Sequence, residues 1–188
     1  DEFINRDLSW LQFNRRVLNE AMDPRTPLLE RVRFYNIFSS NLDEFFMKRV
    51  GALGGMLDSA TAAPTRDGLM PEQQLKLVRD AVIDLLELQA GCFREQIRPA
   101  LRENGIEFVE WSDLTEAERA EAEHYFRATV FPILTPLAVD PGHPFPFISN
   151  LSVSLAVILQ HPERSENLFA RIKIPEMLPS WIRLKSGE

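Results

Sequence analysis

The 188-residue sequence is poor in the residue types that build many common catalytic and metal sites. It has one cysteine, Cys92, and three scattered histidines, which excludes an internal disulfide and a zinc site of the usual Cys/His spacing. The motifs G-x-x-x-x-G-K-[ST], G-x-G-x-x-G, H-E-x-x-H and G-x-S-x-G are all absent. No signal-peptide pattern occurs, and no apolar run approaches the about 20 residues of a membrane span. We therefore expect a cytoplasmic protein, with peripheral association to a membrane left open.

Charge is distributed unevenly along the chain, whose net charge is −7. Residues 58–125 contain fifteen acidic and seven basic residues, whereas residues 1–57 contain eight of each. An acidic middle segment is unsuited to a groove for a long polyanion, so we expect no nucleic-acid partner. Hydrophobic residues make up 45% of the sequence, which predicts a packed core and excludes a disordered chain.

The first part of the chain has apolar residues at helical spacing. Ser9 and Gln12 have the spacing of a capping box, which predicts that a first helix begins at Ser9. Pro27 suits the first position of a second helix, because its missing N–H costs nothing there. We expect residues 39–41, Ser-Ser-Asn, to interrupt the pattern before a third helix over residues 42 to about 53.

The longest helical pattern begins at Pro71 and predicts a helix to about residue 103, with a kink near Pro99 and an end at Asn104-Gly105. One side of this helix carries a seam close to a heptad repeat. The seam residues are Leu75, Val78, Val82, Leu85, Gln89, Cys92, Gln96 and Ala100.

The pattern changes after Gly105. Residues 106–109 predict a short strand, and the capping box Thr115/Glu118 predicts a helix to about residue 130. Five prolines between residues 132 and 146 exclude a helix or a central strand there. Two alternating segments, at residues 151–159 and 168–174, predict an antiparallel hairpin.

The predicted fold class is therefore α + (α+β). An N-terminal helical bundle over residues 1–103, with one long helix, leads into the first part of a truncated α+β domain over residues 104–188.

Residues 39–46, SSNLDEFF, form the best candidate for a binding segment. Two interpretations of Asn41 are open. It can be a helix N-cap, with Asp43 and Glu44 favourably placed in the first helical turn. Alternatively, its carboxamide offers one donor and one acceptor, which match N6 and N7 of an adenine. Because two carboxylates at a helix start would repel phosphate, a nucleotide would present its base here.

The histidines and the cysteine point more weakly to chemistry. His143 lies in a proline-rich loop with Asp140 close enough to orient its imidazole, and we favour a local hydrogen-bonding role over a functional one. His124 is expected on a helix surface and His161 in a hairpin turn. Cys92 lies on the apolar seam of the long helix, so a buried structural thiol is expected rather than a nucleophile.

Three segments resemble signatures of one family, the large bacterial polyphosphate kinases. Residues 3–18, FINRDLSWLQFNRRVL, resemble the N-terminal opening of that family. Residues 27–31, PLLER, and 37–46, IFSSNLDEFF, resemble its second signature. A third is matched by TPL at 135–137, DP at 140–141 and HPFPFISNL at 143–151.

This resemblance implies four domains in the whole enzyme, of which this chain would contain the helical N-terminal domain and the first part of the head domain. It implies reversible transfer of the ATP γ-phosphate to inorganic polyphosphate, through a histidine in the C-terminal part and with magnesium. The asparagine of the second signature contacts the nucleotide, and Asn41 matches it. The head domain implies self-association.

The resemblance assigns no catalytic residue and no metal ligand to this chain, so the fragment alone is expected to be inactive. A different class, a non-enzymatic helical interaction module, stays open. It requires Leu75, Val82 and Leu85 to be exposed. A nucleotide sensor without transfer chemistry is the further alternative.

Overall fold

The computed structural model describes residues 4–57, 63–65, 67–160 and 167–184. The chain divides into two compact units, Asp1–Phe108 and Val109–Glu188. The first is helical, and the second combines short helices with a three-stranded antiparallel sheet. This arrangement confirms the predicted fold class. Within the described residues, no helix is both long and apolar enough to cross a membrane.

Helix α1 spans Arg6–Met22 and begins earlier than predicted. Its N-cap is Asn5, whose Oδ1 accepts hydrogen bonds from the backbone N–H groups of Asp7 (3.1 Å) and Leu8 (2.9 Å). The prediction of a helix start at Ser9 is therefore wrong. Asn5 caps the helix because its side chain reaches the N–H groups that the first turn leaves without partners.

Helix α2 spans Leu28–Phe45 and follows the N-cap residue Pro27. The predicted interruption at residues 39–41 is wrong, and so is the interpretation of Asn41 as an N-cap. Ser39 stays helical and its hydroxyl donates to the carbonyl oxygen of Tyr35, 3.3 Å away and one turn earlier. The buried residues Phe38 and Leu42 continue the apolar stripe across the segment. A five-residue π-helix, Phe46–Val50, then leads into α3, Gly51–Leu57.

The predicted long helix is confirmed. Helix α4 spans Pro71–Cys92, a π-helix covers Phe93–Ile97, and α5 spans Arg98–Glu103. The wider turns come just before Pro99, which has no N–H to donate to the preceding turn. The helix ends at Asn104, and Gly105 adopts a φ of +79°, as in a typical C-terminal glycine cap.

The core of the first unit lies between α1, α2 and α4–α5, and it has Phe38 fully buried near its centre. Val82 and Leu85 of the long-helix seam are buried in it, and Leu75 is half-buried. The seam therefore does not provide the binding face that an interaction module would need. The buried apolar cluster consists of Leu11, Leu18, Ala21, Phe38, Leu42, Phe45, Val78, Val82, Leu85, Cys92, Ile97 and Leu101.

The strand predicted over residues 106–109 does not form, which corrects that prediction. Its hydrogen-bonding groups are used at the end of α5: the N–H of Ile106 donates to Leu101 O (2.9 Å) and Arg98 Nη2 donates to Phe108 O (3.0 Å). The Phe108 ring packs 5.9 Å from the ring of Phe93. The segment therefore closes the helical unit instead of entering a sheet.

The second unit begins with a 3₁₀ turn, Trp111–Asp113, and helix α6, Glu116–Tyr125. The predicted capping box is present, with Thr115 and Glu118 bonding each other's backbone N–H. A π-helix, Phe126–Val130, and a 3₁₀ turn, Phe131–Ile133, follow.

Three antiparallel strands form the sheet: β1, Pro136–Val139; β2, Ser154–Gln160; and β3, Asn167–Lys173. The strand order is β1-β3-β2, and Ala170 of β3 lies opposite both Ala138 and Val157. This confirms the predicted β2–β3 hairpin; residues 161–166 of the predicted turn lie outside the described residues. Strand β1 starts with a proline at a sheet edge, where a missing donor is tolerated.

Candidate functional site

Asn41 lies inside α2 and faces α1, where it is half-buried. Its Nδ2 donates to Oδ1 of Asn14, 3.1 Å away on α1. Asn14 is fully buried, and its own Nδ2 donates to the backbone carbonyl oxygen of Phe38 at 3.1 Å. The two carboxamides thus form a short relay that starts at a carbonyl of α2, crosses to α1 and returns to α2.

The relay uses one of the two N–H groups of Asn41. A primary amide has two N–H donors and one carbonyl acceptor, so one N–H and Oδ1 have no partner within this relay. A donor beside an acceptor matches the N6/N7 edge of adenine. The helix-capping interpretation would have consumed the carbonyl oxygen, whereas the observed geometry does not.

Aromatic side chains pack α1 against α2 one helical turn away from Asn14 and Asn41. Trp10 stacks on Phe45 with ring centroids 4.8 Å apart and an interplanar angle of 11°. Phe13 tilts against Trp10 at 6.5 Å, remains 47% exposed, and lies under the Arg16 guanidinium at 5.9 Å. These contacts fix the spacing of the two helices next to Asn41.

The long helix holds the other side of α2. Gln89 of α4 is buried, and its Nε2 donates to Oγ of Ser39 at 2.6 Å. At the start of α2, Arg31 donates to Ala21 O (2.8 Å) and to Oε1 of Gln96 (3.0 Å). Polar contacts on two helices therefore position α2.

A shallow groove of about 460 Å³ runs along the outer side of α2 and ends at the residue before Asn41. Its surface is mainly apolar, which suits the face of a planar base. The lining residues are Leu29, Val32, Arg33, Asn36, Ile37 and Ser40.

The electrostatic argument from a helix start is wrong, since Asp43 and Glu44 occupy the last turn of α2. Both are exposed, and Glu44 forms an ion pair with Lys48 one turn later. Negative charge therefore lies close to Asn41, but it is partly neutralised and is not concentrated at a helix N-terminus.

Sequence reasoning missed a buried charge at Asp7, because an acidic residue in the first turn of a helix is ordinarily exposed. Asp7 is buried, Arg49 Nε donates to its Oδ1 at 2.8 Å, and Gln74 donates to its Oδ2. The contacts of Asp7 connect α1 with the π-helix Phe46–Val50 and with α4. The partner of Asp7, Arg49, has the opposite charge, but it lies 42 residues away, so the pair could not be recognised from the sequence.

His143 lies in the second unit, and its Nδ1 is 3.0 Å from Oδ1 of Asp140, as the predicted orienting contact requires. The same carboxylate accepts the N–H groups of Gly142 (2.8 Å) and His143 (2.9 Å). The bond from the His143 ring and these backbone bonds lower the pKa of Asp140. The loop is an exposed turn, and the structure confirms the predicted contact between Asp140 and the His143 ring.

The remaining single residues have ordinary surroundings. His124 is exposed on α6, as predicted, and His161 lies outside the described residues. Cys92 is buried, and this burial raises the pKa of its thiol. The structure therefore confirms Cys92 as a buried core thiol.

A metal ion requires several convergent ligands, which we sought in the part of the chain that the structure describes. That part contains no group of three or more His, Cys, Asp or Glu side chains that could hold one.

Comparison with known proteins matches both units. Residues 3–109 match the family described as the polyphosphate kinase N-terminal domain, and residues 117–188 match the polyphosphate kinase middle domain. The chain is 47% identical over 184 residues to a polyphosphate kinase of Mycolicibacterium gilvum, covering 98% of this chain and 25% of that protein. It is 49% identical over 187 residues to polyphosphate kinase 1 of Chlorobaculum tepidum, covering 99% of this chain and 27% of that protein.

A solved structure gives the same result. The crystal structure of polyphosphate kinase from Porphyromonas gingivalis matches with a TM-score of 0.80 at 33% identity, over 97% of this chain and 26% of that one. The chain thus spans about a quarter of the length of these relatives. Sequence and fold agree over both units, and the chain belongs to the polyphosphate kinase family.

Proposed function

We propose that this chain is the N-terminal part of an enzyme that transfers the γ-phosphate of ATP reversibly to inorganic polyphosphate. Its contribution is one wall of the ATP site, built on α1 and α2. The observation that carries this proposal is the Asn41 carboxamide, held at 3.1 Å by buried Asn14 with a donor and an acceptor left over.

Recognition of the base, rather than of the phosphates, suits this wall. Adenine needs a neutral donor–acceptor pair and an apolar surface for its ring, and the Asn41 amide and the neighbouring groove supply these. Phosphates need concentrated positive charge, whereas the acidic residues Asp43 and Glu44 lie two and three positions after Asn41. In this proposal the phosphates and their magnesium ion bind to parts of the enzyme outside this chain.

The phosphate-accepting histidine also belongs to the remainder of the enzyme. His143 is committed to Asp140 in a local turn, and His124 lies on an exposed helix face. Neither is assigned a role in transfer, and the chain alone should make no polyphosphate. The enzyme acts in the cytoplasm in this proposal.

The second unit is proposed to take part in self-association. Its sheet exposes large apolar side chains, including Leu155 and Ile158 of β2, and exposed apolar patches of this kind are typical of contact surfaces. Light scattering tests this property. The chain should associate as its concentration rises, and a clean monomer at high concentration would contradict it.

Kinetics of the complete enzyme test the role of Asn41. Asn41→Ala should raise KM for ATP by about five- to 150-fold, the range for one bidentate contact to a base, with KM for polyphosphate unchanged. Asn19→Ala, which removes an exposed carboxamide from α1, is the matched control and should leave both constants unchanged. An unaltered KM for ATP in Asn41→Ala would reject the proposed wall.

A further inference from the structure

We infer that Asn14 is a positioning residue for nucleotide recognition, acting through Asn41. This inference rests on the proposed function of Asn41 and extends it to a residue that has no access to the ligand, since Asn14 is 0% exposed.

The direction of the relay follows from its first member. A backbone carbonyl oxygen can only accept, so the atom of Asn14 that faces Phe38 O at 3.1 Å must be its NH₂ group. Oδ1 of Asn14 therefore points to Asn41, and an oxygen acceptor requires Asn41 to present its own NH₂ in return, at 3.1 Å. The orientation of the Asn41 carboxamide is fixed by a backbone group that cannot change its polarity.

This orientation matters for which base is recognised. An asparagine amide rotated by half a turn exchanges its donor and its acceptor. Its NH₂ group then faces the N6 donor of adenine but can donate to the O6 acceptor of guanine. With the NH₂ side held by Asn14, Oδ1 of Asn41 is always available to accept from an amino group such as N6 of adenine. Asn14 therefore selects for adenine without touching it.

A purely structural role for Asn14 is the competing explanation. Buried Asn can simply set the register of two helices, and its loss then lowers stability without changing base preference. Gln89 provides a matched comparison, because it is another buried amide that bonds to α2, but it does so at Ser39 Oγ and not at Asn41. Replacing either Asn14 or Gln89 by alanine should lower stability, but only the replacement of Asn14 should weaken ATP binding.

The first measurement needs no ligand. In ¹⁵N-labelled chain, the side-chain NH₂ of Asn41 should be as rigid as the backbone of α2 by NMR relaxation, and it should become mobile in Asn14→Ala. Asn14→Ser is the second variant, because its hydroxyl keeps a donor for the Phe38 carbonyl but is too short to hold Asn41 as well. A mobile Asn41 amide in the wild-type chain, or a rigid one in both variants, would overturn the inference.

The second measurement is titration of the chain with ATP and, separately, with GTP. Asn14→Ala and Asn14→Ser should bind ATP about three- to tenfold more weakly, the cost of immobilising one more side chain on binding, and their preference for ATP over GTP should fall. Gln89→Ala should bind ATP within about twofold of wild type, as expected of a site away from the amide relay.

The outcomes separate the two proposals. If wild type binds ATP and Asn41→Ala does not, but the Asn14 variants keep wild-type affinity and base preference, the inference fails and the proposed function stands. If the wild-type chain shows no saturable response to ATP, recognition by this chain is rejected, and the positioning role of Asn14 is rejected with it.

Discussion

The two units differ sharply in how many of their side chains are buried. The helical unit encloses a contiguous apolar core and, within it, the polar side chains Asp7, Asn14, Gln74 and Gln89. Among the described residues of the second unit, only Ala170 and Arg171 are buried, although its sheet is fully paired between β1, β3 and β2. Backbone pairing is thus present in both units, but side-chain burial is concentrated in one.

This difference shows which unit can position a binding group. Layers of secondary structure become rigid when they pack on another layer. The second unit instead leaves apolar side chains exposed, such as Phe147 at 90% and Ile158 of β2 at 71%. Asn41, in contrast, is held by buried Asn14 of α1, and its helix α2 is also bonded to α4 through Gln89 and Ser39. A side chain that must discriminate between bases belongs in the first unit.

Hydrogen exchange should show the largest contrast. Amides of α1, α2 and α4 should exchange only by unfolding of the whole helical unit, whereas those shared by β2 and β3 should exchange by local opening, orders of magnitude faster. Because both sets are hydrogen-bonded, the difference measures packing and not bonding. Hydrogen-exchange NMR on the chain measures both sets of amides in one sample, and equal protection would refute the contrast.

Two phenylalanines of equal size should respond differently to truncation. Phe38→Ala creates a cavity in the core of the first unit and should lower the free energy of unfolding by about 3–5 kcal/mol. Phe147→Ala removes an exposed ring from the second unit and should change it by less than about 0.5 kcal/mol. Denaturant unfolding followed by circular dichroism makes this comparison. Similar losses in both variants would contradict the assigned exposure of Phe147.

In the first unit, removing one member of an ion pair should cost more stability when its partner is buried. Arg49→Ala leaves buried Asp7 with Gln74 as its remaining side-chain donor, and it should cost about 1–3 kcal/mol of stability. Lys48→Ala, one residue away, removes only the exposed pair with Glu44 and should cost less than about 0.5 kcal/mol. The same unfolding assay measures both, and equal effects would contradict the assigned burial of Asp7.

The smallest expected effect is the pH response of the Asp140 turn. The His143 ring bond and the backbone N–H groups hold the pKa of Asp140 below its ordinary value of 3.8. Their stabilisation is therefore complete above that pH and is lost as pH falls through the lower pKa of the folded chain. Titration by carboxyl NMR should show the pKa of Asp140 rising toward 3.8 in His143→Ala.

Asp67 serves as the control for that titration. Its pKa is lowered by hydrogen bonds from Thr65 and Asn5, in the other unit, so His143→Ala should leave it unchanged. An unchanged pKa of Asp140 in the variant would mean that the ring bond is not formed in solution.

Periodicity predicted the helical unit, the long helix and the β2–β3 hairpin, because each is set by a long run of apolar spacing. Periodicity failed where a short polar motif is compatible with two local backbone structures. Ser-Ser-Asn at residues 39–41 can cap a helix or continue one, and the buried neighbours Phe38 and Leu42 decide the outcome. Residues 106–109 fail similarly, since their hydrogen bonds close α5.

Asn41 could be selected from sequence, but its orientation could not. Asn14 lies 27 residues away, on a different helix, and carries no signal beyond being a polar residue among apolar ones. Only the packing of α1 on α2 brings the two amides together. The same packing leaves Asn41 inside a helix, where its carboxamide is a candidate for binding a base and not a helix cap.

The most direct test of the central claim is titration of the ¹⁵N-labelled chain with ATP, beside Asn41→Ala. The account predicts saturable amide shifts clustered at residues 39–46 in the wild type, with millimolar affinity of about 4 kcal/mol because one wall of the site is present, and their loss in Asn41→Ala. Shifts that persist unchanged in Asn41→Ala, or no saturable shifts in the wild-type chain, would contradict the claim that this domain recognises the nucleotide through Asn41.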